Sequence, residues 1–455
     1  EMNVERISSD EAEAGGIFFG WWVVLSAFLI SAVTIGAYYS FGVFFLPIIE
    51  EFGWSRGLVS GVILVGGITY ALIVPLTGLL ADRIGFRVIT TITAVIVGIA
   101  FILSSLVQNV WHLYLSLGIL AGLGAPAGIA LPLSLVARWF RRRQGLALGI
   151  ATTGIGVGTA LIPPLAAYII AEYGWRPGYV VIGMLVGVIC IPAALLTMRE
   201  PDPEYVRDFE GEETMEGSNG AEDMSLGDAL GTSSFWYLFF VFAILIFCLG
   251  LAFTHLVPYA RDSGMTAVAA AGLLTVIGVF SIIGRLASGT ISDRIGARPV
   301  LIAGIIIQGT MILWLVKAET GWMFYLFAVM FGLSYGGNIV LVPKLTSRIF
   351  GLTAMGAIYG ALSVADGLGY GTGPWLAGYI HDITGSYHIS FYIVAAGLLL
   401  AVFLAFVLKE KSAGSESPHS LFGLLFSSMG FAPREMPHVN ILIDLLNHQA
   451  PHFLT

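Results

Sequence analysis

Two charged residues, Arg285 and Asp366, each lie inside a long apolar stretch of the sequence. An ionisable side chain in a bilayer core costs about 2.5–3.5 kcal/mol on insertion scales, so each position needs a reason. A guanidinium presents a planar fork of N–H donors that matches a carboxylate, which makes Arg285 a candidate anion-binding residue. The alternative is a structural ion pair between Arg285 and Asp366.

Asp366 is also a candidate proton carrier. An anion bound to Arg285 would weaken the attraction between the two residues, so Asp366 would take up a proton as the anion arrives. The alternative is that Asp366 only neutralises Arg285. Asp262 is a second candidate for the proton, and its alternative role is an N-cap of the helix that follows. We expect His255 to be a hydrogen-bonded packing residue rather than a proton relay.

Polar residues at helical spacing predict which helix faces line a cavity. These residues are Tyr359, Ser363, Asp366 and Tyr370, then Tyr335 and Asn338, then Ser31, Thr34 and Tyr38. Because Tyr, Asn and Ser can hydrogen-bond a carboxylate, we predict substrate contacts for Tyr38, Tyr335, Asn338, Tyr359 and Ser363. Hydrogen bonding between helices is the alternative role of each residue.

The composition excludes a water-soluble globule. Of the 455 residues, 57% are hydrophobic and 11% are charged, and the mean hydropathy is +0.88. His381 and Asp382 have no HExxH, CxxC or GxSxG motif beside them, so a metal or hydrolase site has no support. We expect a bilayer-embedded chain that has no catalytic residue, metal or cofactor and binds no nucleic acid.

Twelve stretches are long and apolar enough to cross the hydrocarbon core as helices, which takes about 20 residues. They run near 17–46, 57–80, 88–108, 111–137, 145–171, 177–198, 235–260, 267–291, 299–316, 321–343, 354–380 and 388–408. Their continuous apolar character differs from the alternating pattern of a membrane β-barrel. The predicted fold is an all-α integral membrane protein with twelve transmembrane helices.

Positive charge is concentrated in the loops after the second, fourth, eighth and tenth predicted spans. The residues are Arg83, Arg87, Arg138, Arg141, Arg142, Arg143, Arg294, Arg298, Lys344 and Arg348. The positive-inside rule then predicts a multi-pass protein of the plasma (inner) membrane with both termini in the cytoplasm. The acidic segment 200–228 becomes a cytoplasmic connector, and its low hydrophobicity predicts disorder.

The two halves of the sequence resemble each other. A shift of 211 residues aligns Pro47 with Pro258, Asp82 with Asp293, and Gly149 with Gly360. Six spans separate each pair, so the halves share one orientation, as in the parallel repeat of a two-bundle transporter. We predict a cytoplasmic tail at 1–16, six-helix bundles at 17–198 and 235–408 joined by a connector at 199–234, and a cytoplasmic tail at 409–455.

One repeated element reads GLLADRIGFR at 78–87 and GTISDRIGAR at 289–298, and it resembles the cytoplasmic-loop motif of the major facilitator superfamily. In this motif the first Gly permits close helix approach, the Asp lies at a helix end and the Arg residues face the cytoplasm. The resemblance implies a gating role for Gly78, Asp82, Arg83, Gly85, Arg87, Gly289, Asp293, Arg294, Gly296 and Arg298. It carries no information about the substrate.

Longer segments resemble the monocarboxylate transporter family and the related oxalate/formate antiporters. They read FGWWVV (19–24), WFRRRQGLALGIATTG (139–154), HLVPYARDSGM (255–265), GRLASG (284–289) and YGALSVADGLGYGTGPWLAGY (359–379). The resemblance supports Arg285 as the anion-binding residue, because monocarboxylate transporters carry an Arg at this position. It covers most of residues 17–408.

The sequence departs from these relatives at three positions. Animal monocarboxylate transporters have an Asp one turn before that Arg and a Lys in the first helix, where this chain has Ser281 and Val43. The oxalate/formate antiporter has a Lys where this chain has Asp366. We predict proton-coupled symport of a small monocarboxylate such as lactate or pyruvate by alternating access. The alternatives are anion exchange of the oxalate/formate type and a non-transporting receptor built on a transporter scaffold.

Overall fold

The computed structural model describes residues 18–140, 143–202, 205, 224–351 and 355–408. Each apolar stretch forms a helix, because a helix satisfies its own backbone N–H and C=O groups where lipid cannot. The helices of the first half are α1 Gly20–Phe52, α2 Arg56–Ile84, α3 Phe86–Ser104, α4 Val110–Trp139, α5 Gln144–Tyr173 and α6 Trp175–Thr197. Those of the second half are α7 Ser233–Asp262, α8 Ala267–Ile295, α9 Ala297–Leu315, α10 Gly321–Phe350, α11 Met355–Thr384 and α12 His388–Val407.

These helices confirm the predicted all-α membrane fold. Eleven of them are long and apolar enough to cross a membrane, and α11 matches them in length with 30 residues. The glycines of α11 lower its hydropathy, although its length suits a span. The largest boundary difference is at α10, which was predicted to end at 343 and ends at Phe350.

Two of the helices depart from regular α-helical geometry. Ser40 interrupts α1 as a turn residue between Gly20–Tyr39 and Phe41–Phe52. Within α4, residues Tyr114–Leu120 form a π-helix and Ala125–Ala127 form a 3-10 turn. Such departures from α-helical geometry shift the faces that the helix presents beyond them.

Each half of the chain has its own hydrophobic core. One core includes Phe44, Trp139 and Tyr179, and the other includes Phe253 and Phe331. A few first-half side chains, Ile35, Tyr39 and Val43 among them, belong to the second core. These shared residues show where the two halves touch.

The halves pack mainly through two helix pairs, α2 with α11 and α5 with α8, and also where the second part of α1 meets α7. A Cβ atom added at Gly67 would lie 2.2 Å from the carbonyl oxygen of Gly367, and one added at Gly278 would lie 2.6 Å from that of Gly156. Only glycine permits such backbone contact. Both contacts lie on the side of the molecule where α2 begins, which we call the Arg56 end.

The same four helices separate toward the opposite end, near Asp82 and Asp293, which we call the Asp82 end. Among the described residues, no neighbouring atom lies within 4 Å of a Cβ atom built at Gly78, Gly149, Gly289 or Gly360. The expectation that Gly78 and Gly289 mark close helix contacts is therefore wrong for this conformation. The halves meet at the Arg56 end and part at the Asp82 end.

The predicted tails at 1–16 and 409–455 lie outside the described residues, as does most of the connector. The described part of the connector includes a short helix, Leu226–Leu230. Ser225 and Asp228 form a capping box at its start, which satisfies two backbone N–H groups.

Candidate functional site

Arg285 lies on α8 where the two halves touch. Arg285 is only 4% exposed to solvent. Its Nη1 donates a hydrogen bond to Ser281 Oγ at 3.2 Å, and its Cζ lies 5.6 Å from the centre of the Tyr335 ring. A Cβ atom on Gly156 of α5 would lie 3.1 Å from the same Nη1. Nε and Nη2 of Arg285 have no hydrogen-bond partner among the described residues. A buried cation with two unused donors is costly, and an anion would remove that cost.

Asp366 lies on α11 and lines a cavity of about 110 Å³ between the halves. The cavity is also lined by Tyr38, Tyr39, Tyr70 and Tyr370. Tyr70 of α2 and Tyr370 of α11 line the same cavity as the Asp366 carboxyl. The carboxyl group thus has phenol neighbours from both halves and can be reached from the cavity.

Arg285 and Asp366 do not form an ion pair. Neither residue belongs to any of the ion pairs found among the described residues. The hydroxyl oxygens of Tyr335 and Tyr39 lie 3.3 Å apart across the boundary between the halves. Tyr335 faces Arg285, and Tyr39 lines the cavity that contains Asp366. The alternative of a structural Arg285–Asp366 pair is therefore wrong in this conformation.

The predicted polar face of α11 is only partly in the cavity. Asp366 and Tyr370 line it, whereas Tyr359 and Ser363 are not among its lining residues. The Ser363 hydroxyl donates to the Tyr359 carbonyl within the helix at 3.0 Å. Both residues lie one to two turns nearer the Asp82 end, so the structure does not place them with Asp366.

Asn338 also departs from its predicted place. Its Nδ2 donates to Gln308 Oε1 of α9 at 3.1 Å, and Gln308 in turn donates to Cys248 Sγ at 3.6 Å. Asn338 is therefore part of a polar contact inside the second half. Substrate binding by Asn338 is not supported in this conformation, because its side chain faces α9 rather than the cavity.

Tyr38 lies in the cavity as predicted, and its hydroxyl donates to the backbone carbonyl of Ala121. Sequence reasoning missed Tyr39 and Tyr70. A signal for Tyr39 existed, because it follows Tyr38 directly and a polar-tipped ring pair in an apolar helix is unusual. Tyr70 has no polar residue three or four positions away on α2, so the pattern used for the other helices did not single it out.

The Arg56 end holds a cross-half ionic network. Arg56 of α2 donates to both carboxylate oxygens of Asp262 of α7, from Nη1 at 2.6 Å and from Nη2 at 3.0 Å. Asp382 of α11 accepts from the backbone N–H groups of Arg56 and Gly57 at 2.8 and 2.7 Å. Two second-half carboxylates therefore hold the start of a first-half helix, in the manner of a helix cap.

This network corrects the alternative reading of Asp262. Thr266 caps α8, because its hydroxyl accepts from the Ala269 N–H, whereas Asp262 is the last residue of α7 and pairs with Arg56. The N-cap reading of Asp262 is therefore wrong. Asp262 is tied into the contact that closes the Arg56 end.

His255 is a buried, hydrogen-bonded residue, as expected. Its Nε2 lies 2.8 Å from the Pro374 carbonyl and its Nδ1 lies 3.0 Å from the Tyr387 hydroxyl. Since the carbonyl can only accept, Nε2 carries the proton and Nδ1 accepts from Tyr387, whose oxygen accepts from Arg56 at 2.7 Å. Burial raises the pKa of Tyr387, which precedes α12.

At the Asp82 end, the repeated motif pairs within each half. Asp82 pairs with Arg138 of α4, and Asp293 pairs with Lys344 of α10. Gly85 and Gly296 end α2 and α8 with φ of 97° and 93°, which only glycine adopts readily. Arg83 and Arg294 are exposed, and Arg298 donates to the Ala405 carbonyl at 2.9 Å. The contacts of Asp82, Asp293 and Arg298 thus each stay within one half.

Within the described residues, no group of three or more His, Cys, Asp or Glu side chains is placed to hold a metal ion. The site therefore consists of one cation, one carboxyl and several phenols. A cavity between two six-helix halves, whose described glycines make close contact toward one end and face open space toward the other, is the architecture of a membrane transporter.

The comparisons with known proteins agree with this class. The profile of the Major Facilitator Superfamily matches residues 27–297 and 273–439. Monocarboxylate transporter 13 of Rattus norvegicus is 30% identical over 84% of this chain and 87% of its own length. Monocarboxylate transporter 12 of Mus musculus is 26% identical over 89% of this chain and 88% of its own length. The chain belongs to the major facilitator superfamily and, within it, to the monocarboxylate transporters.

Solved structures show the same fold. A bacterial homologue of the human lysosomal transporter Spinster, in an inward-facing and occupied conformation, has a TM-score of 0.66. It is 17% identical, and the match covers 89% of this chain and all of that one. The nucleoside transporter NupG has a TM-score of 0.65 at 12% identity, covering 85% of this chain and all of its own.

Proposed function

We propose that the protein carries small monocarboxylates, of the size of lactate or pyruvate, across the membrane together with a proton by alternating access. The carrying observation is the buried Arg285 guanidinium, whose Nε and Nη2 have no partner among the described residues. Two unused donors on one planar group suit the two oxygens of a single carboxylate. The names of the relatives, monocarboxylate transporters 12 and 13, point to the same class of anion.

Asp366 is the proton carrier in this scheme. It lines the cavity, whereas Asp262 is held by Arg56 at one end of the molecule. Binding a carboxylate adds one negative charge to a region that already holds the Asp366 carboxyl, and protonation of Asp366 removes the repulsion. Substrate and proton would then cross in a one-to-one ratio.

The positive-inside rule predicts which end of the molecule faces which side of the membrane. It places the Asp82 end at the cytoplasm of the plasma membrane, with both termini on that side. The described glycines face open space at the Asp82 end, which supports our proposal of an inward-facing state whose outer side is closed by Arg56.

Uptake into proteoliposomes tests this function. Labelled lactate should accumulate faster under an inward proton gradient than without one, and lactate entry should acidify the lumen. Exchange of the oxalate/formate type would instead depend on anion inside the vesicle and ignore the proton gradient. Binding of lactate without any transport across the vesicle membrane would instead indicate a non-transporting receptor.

Replacing Arg285 tests the assigned residue. Arg285→Ala should reduce lactate uptake at least about 30-fold, because truncating a buried hydrogen-bonded charge partner costs roughly 2–5 kcal/mol and about 1.4 kcal/mol is tenfold. Arg285→Lys should restore little, since an ammonium lacks the planar fork. Lys317→Ala, at an exposed position between α9 and α10, is the matched cation control. Wild-type uptake by Arg285→Ala would exclude the role.

A further inference from the structure

A chain of hydrogen bonds runs through the closed Arg56 end, with His255 of α7 at its buried end. His255 is 1% exposed, and its Nε2 lies 2.8 Å from the Pro374 carbonyl of α11. Its Nδ1 lies 3.0 Å from the Tyr387 hydroxyl, whose oxygen accepts from Arg56 Nη1 at 2.7 Å. The same Nη1 donates to Asp262 at 2.6 Å. The chain therefore joins α7 and α11 of the second half to the start of α2 in the first half.

The chain requires a neutral imidazole. Nε2 of His255 donates to a carbonyl, so Nδ1 must accept the proton of the Tyr387 hydroxyl. A second proton on Nδ1 would turn that nitrogen into a donor. The Tyr387 oxygen would then face donors from two cations, His255 and Arg56, and its own proton would have no acceptor in the chain. Protonation of His255 therefore weakens the hold on Arg56.

The carboxylates at this end are already engaged. Asp262 accepts from both terminal nitrogens of Arg56, and Asp382 of α11 accepts from the backbone N–H groups of Arg56 and Gly57. Neither carboxylate is a hydrogen-bond partner of His255. A positive charge on His255 would therefore lie near the Arg56 cation without an ion-pair partner of its own, which opposes protonation in the closed form.

A second histidine lies at the same end. His381 of α11 is partly exposed, and its ring contacts the Tyr387 ring with the centroids 4.5 Å apart. From α1, the uncharged Phe45 ring packs edge-on against the His255 ring at 5.1 Å. Because His381 can also titrate near neutral pH, a test has to separate the two histidines.

We propose that His255 and Tyr387 are positioning residues of the closed Arg56 end, and that a proton reaching His255 from that side releases Arg56 and opens this end. The inference rests on the alternating access of the proposed function. It deepens that function, because acid on the Arg56 side would open this end before a monocarboxylate enters. Asp366 remains the proton carrier between the two sides.

Proton linkage sets the size of the effect. The closed form opposes a second proton on His255, whereas in the open form the imidazole meets water and titrates at about pH 6.5. Lowering the pH therefore favours the open form. Between pH 8 and pH 5.5 the ratio of open to closed molecules should rise about 10-fold.

Distances between two spin labels measure this opening without any substrate. Glu172→Cys at the end of α5 and Val268→Cys at the start of α8 are exposed positions on the two halves at the Arg56 end. The native cysteines are replaced by Ala. Pulsed electron–electron resonance in detergent should show the ratio of long to short distances rising about 10-fold from pH 8 to pH 5.5. An unchanged ratio would overturn the proposal.

Two histidine variants assign the response. His255→Gln keeps one donor and one acceptor but cannot gain a proton, so the distances should be the same at both pH values. His381→Gln is the matched control and should retain the rise of about 10-fold. Persistence of the rise in His255→Gln, or its loss in His381→Gln, contradicts the assignment.

Tyr387→Phe tests the link between His255 and Arg56, and it decides the matter if His255→Gln does not fold. It removes one hydrogen bond from Arg56, so the ratio of open to closed molecules at pH 8 should rise about 5-fold. The same ratio as in the wild type would show that Tyr387 does not hold Arg56.

The two proposals fail separately, because the spin labels report opening and not uptake. A normal pH response in a protein that carries no lactate would refute the proposed function alone. Proton-coupled lactate uptake without a pH response of the distances would refute the role of His255 alone.

Discussion

At the scale of single residues, Arg285 has a neutral neighbour where animal relatives have a carboxylate. Ser281 Oγ lies 3.2 Å from the Arg285 Nη1 and satisfies one donor without neutralising the charge. The guanidinium therefore remains free for a carboxylate at any proton concentration. In a relative with Asp at this position, the substrate would first have to displace that carboxylate or wait for its protonation.

Ser281→Asp should make anion uptake depend on pH in a new way. The added carboxylate should pair with Arg285 and reduce lactate uptake at neutral pH at least about 10-fold, which corresponds to 1.4 kcal/mol. Lowering the pH protonates the new acid and frees Arg285, so uptake should recover as the medium becomes acidic. Initial rates between pH 5 and 8 measure this, and Ser281→Asn is the uncharged control. A flat ratio of variant to wild type across that range would contradict competition for Arg285.

The energetic cost of a charge in lipid was enough to single out Arg285 and Asp366 from the sequence. The same reasoning could not place Asn338. Tyr335 and Asn338 are one turn apart on α10, yet Tyr335 meets Tyr39 across the boundary and Asn338 meets Gln308 inside the second half. Helical spacing predicts that two residues share a side of one helix, but not which neighbouring helix each contacts.

At the scale of helices, hydropathy predicted the spans well because the bilayer demands about 20 apolar residues for each. It could not predict the break of α1 at Ser40 or the π-helical stretch Tyr114–Leu120 of α4. These irregularities depend on packing against neighbouring helices, which hydropathy does not contain. It also missed the Arg56–Asp262 contact, because the pair joins two helix ends that are distant in the sequence.

The start of α2 is the element that closes the Arg56 end. Arg56→Ala removes the bonds to Asp262 and Tyr387, while the backbone bonds to Asp382 can remain. The contact is partly solvated, so its loss should favour opening by about 1 kcal/mol, or roughly 5-fold.

Thiol labelling measures that opening. The reporter is Ser60→Cys, because Ser60 is buried on α2 one turn after Arg56. The two native cysteines, Cys190 and Cys248, are also buried, and both are replaced by Ala so that only the reporter can be labelled. Arg56→Ala should raise the labelling rate from the Arg56 side about 5-fold. Arg261→Ala, one residue before Asp262 and absent from the ion pairs found among the described residues, is the control. An unchanged rate in Arg56→Ala would show that the ionic contact does not hold this end closed.

At the scale of the whole molecule, the internal repeat relates the open positions of the two helix pairs. The shift of 211 residues converts Gly78 to Gly289 and Gly149 to Gly360, and all four face open space. Gly67 and Gly278 of the same pairs make backbone contact nearer the Arg56 end. Alternating access requires the opposite arrangement in the other state, with the Asp82 end in contact and the Arg56 end apart.

A large side chain at an open glycine should therefore stop the cycle without unfolding the protein. Gly149→Leu meets no neighbouring atom within 4 Å of its Cβ atom in this conformation, and leucine is the better helix former. Its thermal unfolding temperature in detergent should not fall. Lactate uptake should decrease at least about 10-fold, because the side chain keeps α5 from closing on α8.

Labelling and a matched variant distinguish this trap from a general defect. In the Gly149→Leu protein, the Ser60→Cys reporter should label more slowly than in the parent, because the Arg56 end opens only when the Asp82 end closes. Gly321→Leu also meets no neighbouring atom, but Gly321 begins α10 on the Arg56 side, so this variant should transport normally. Wild-type uptake by Gly149→Leu would contradict the rocking of two halves, since closure of the Asp82 end would then not bring α5 against α8.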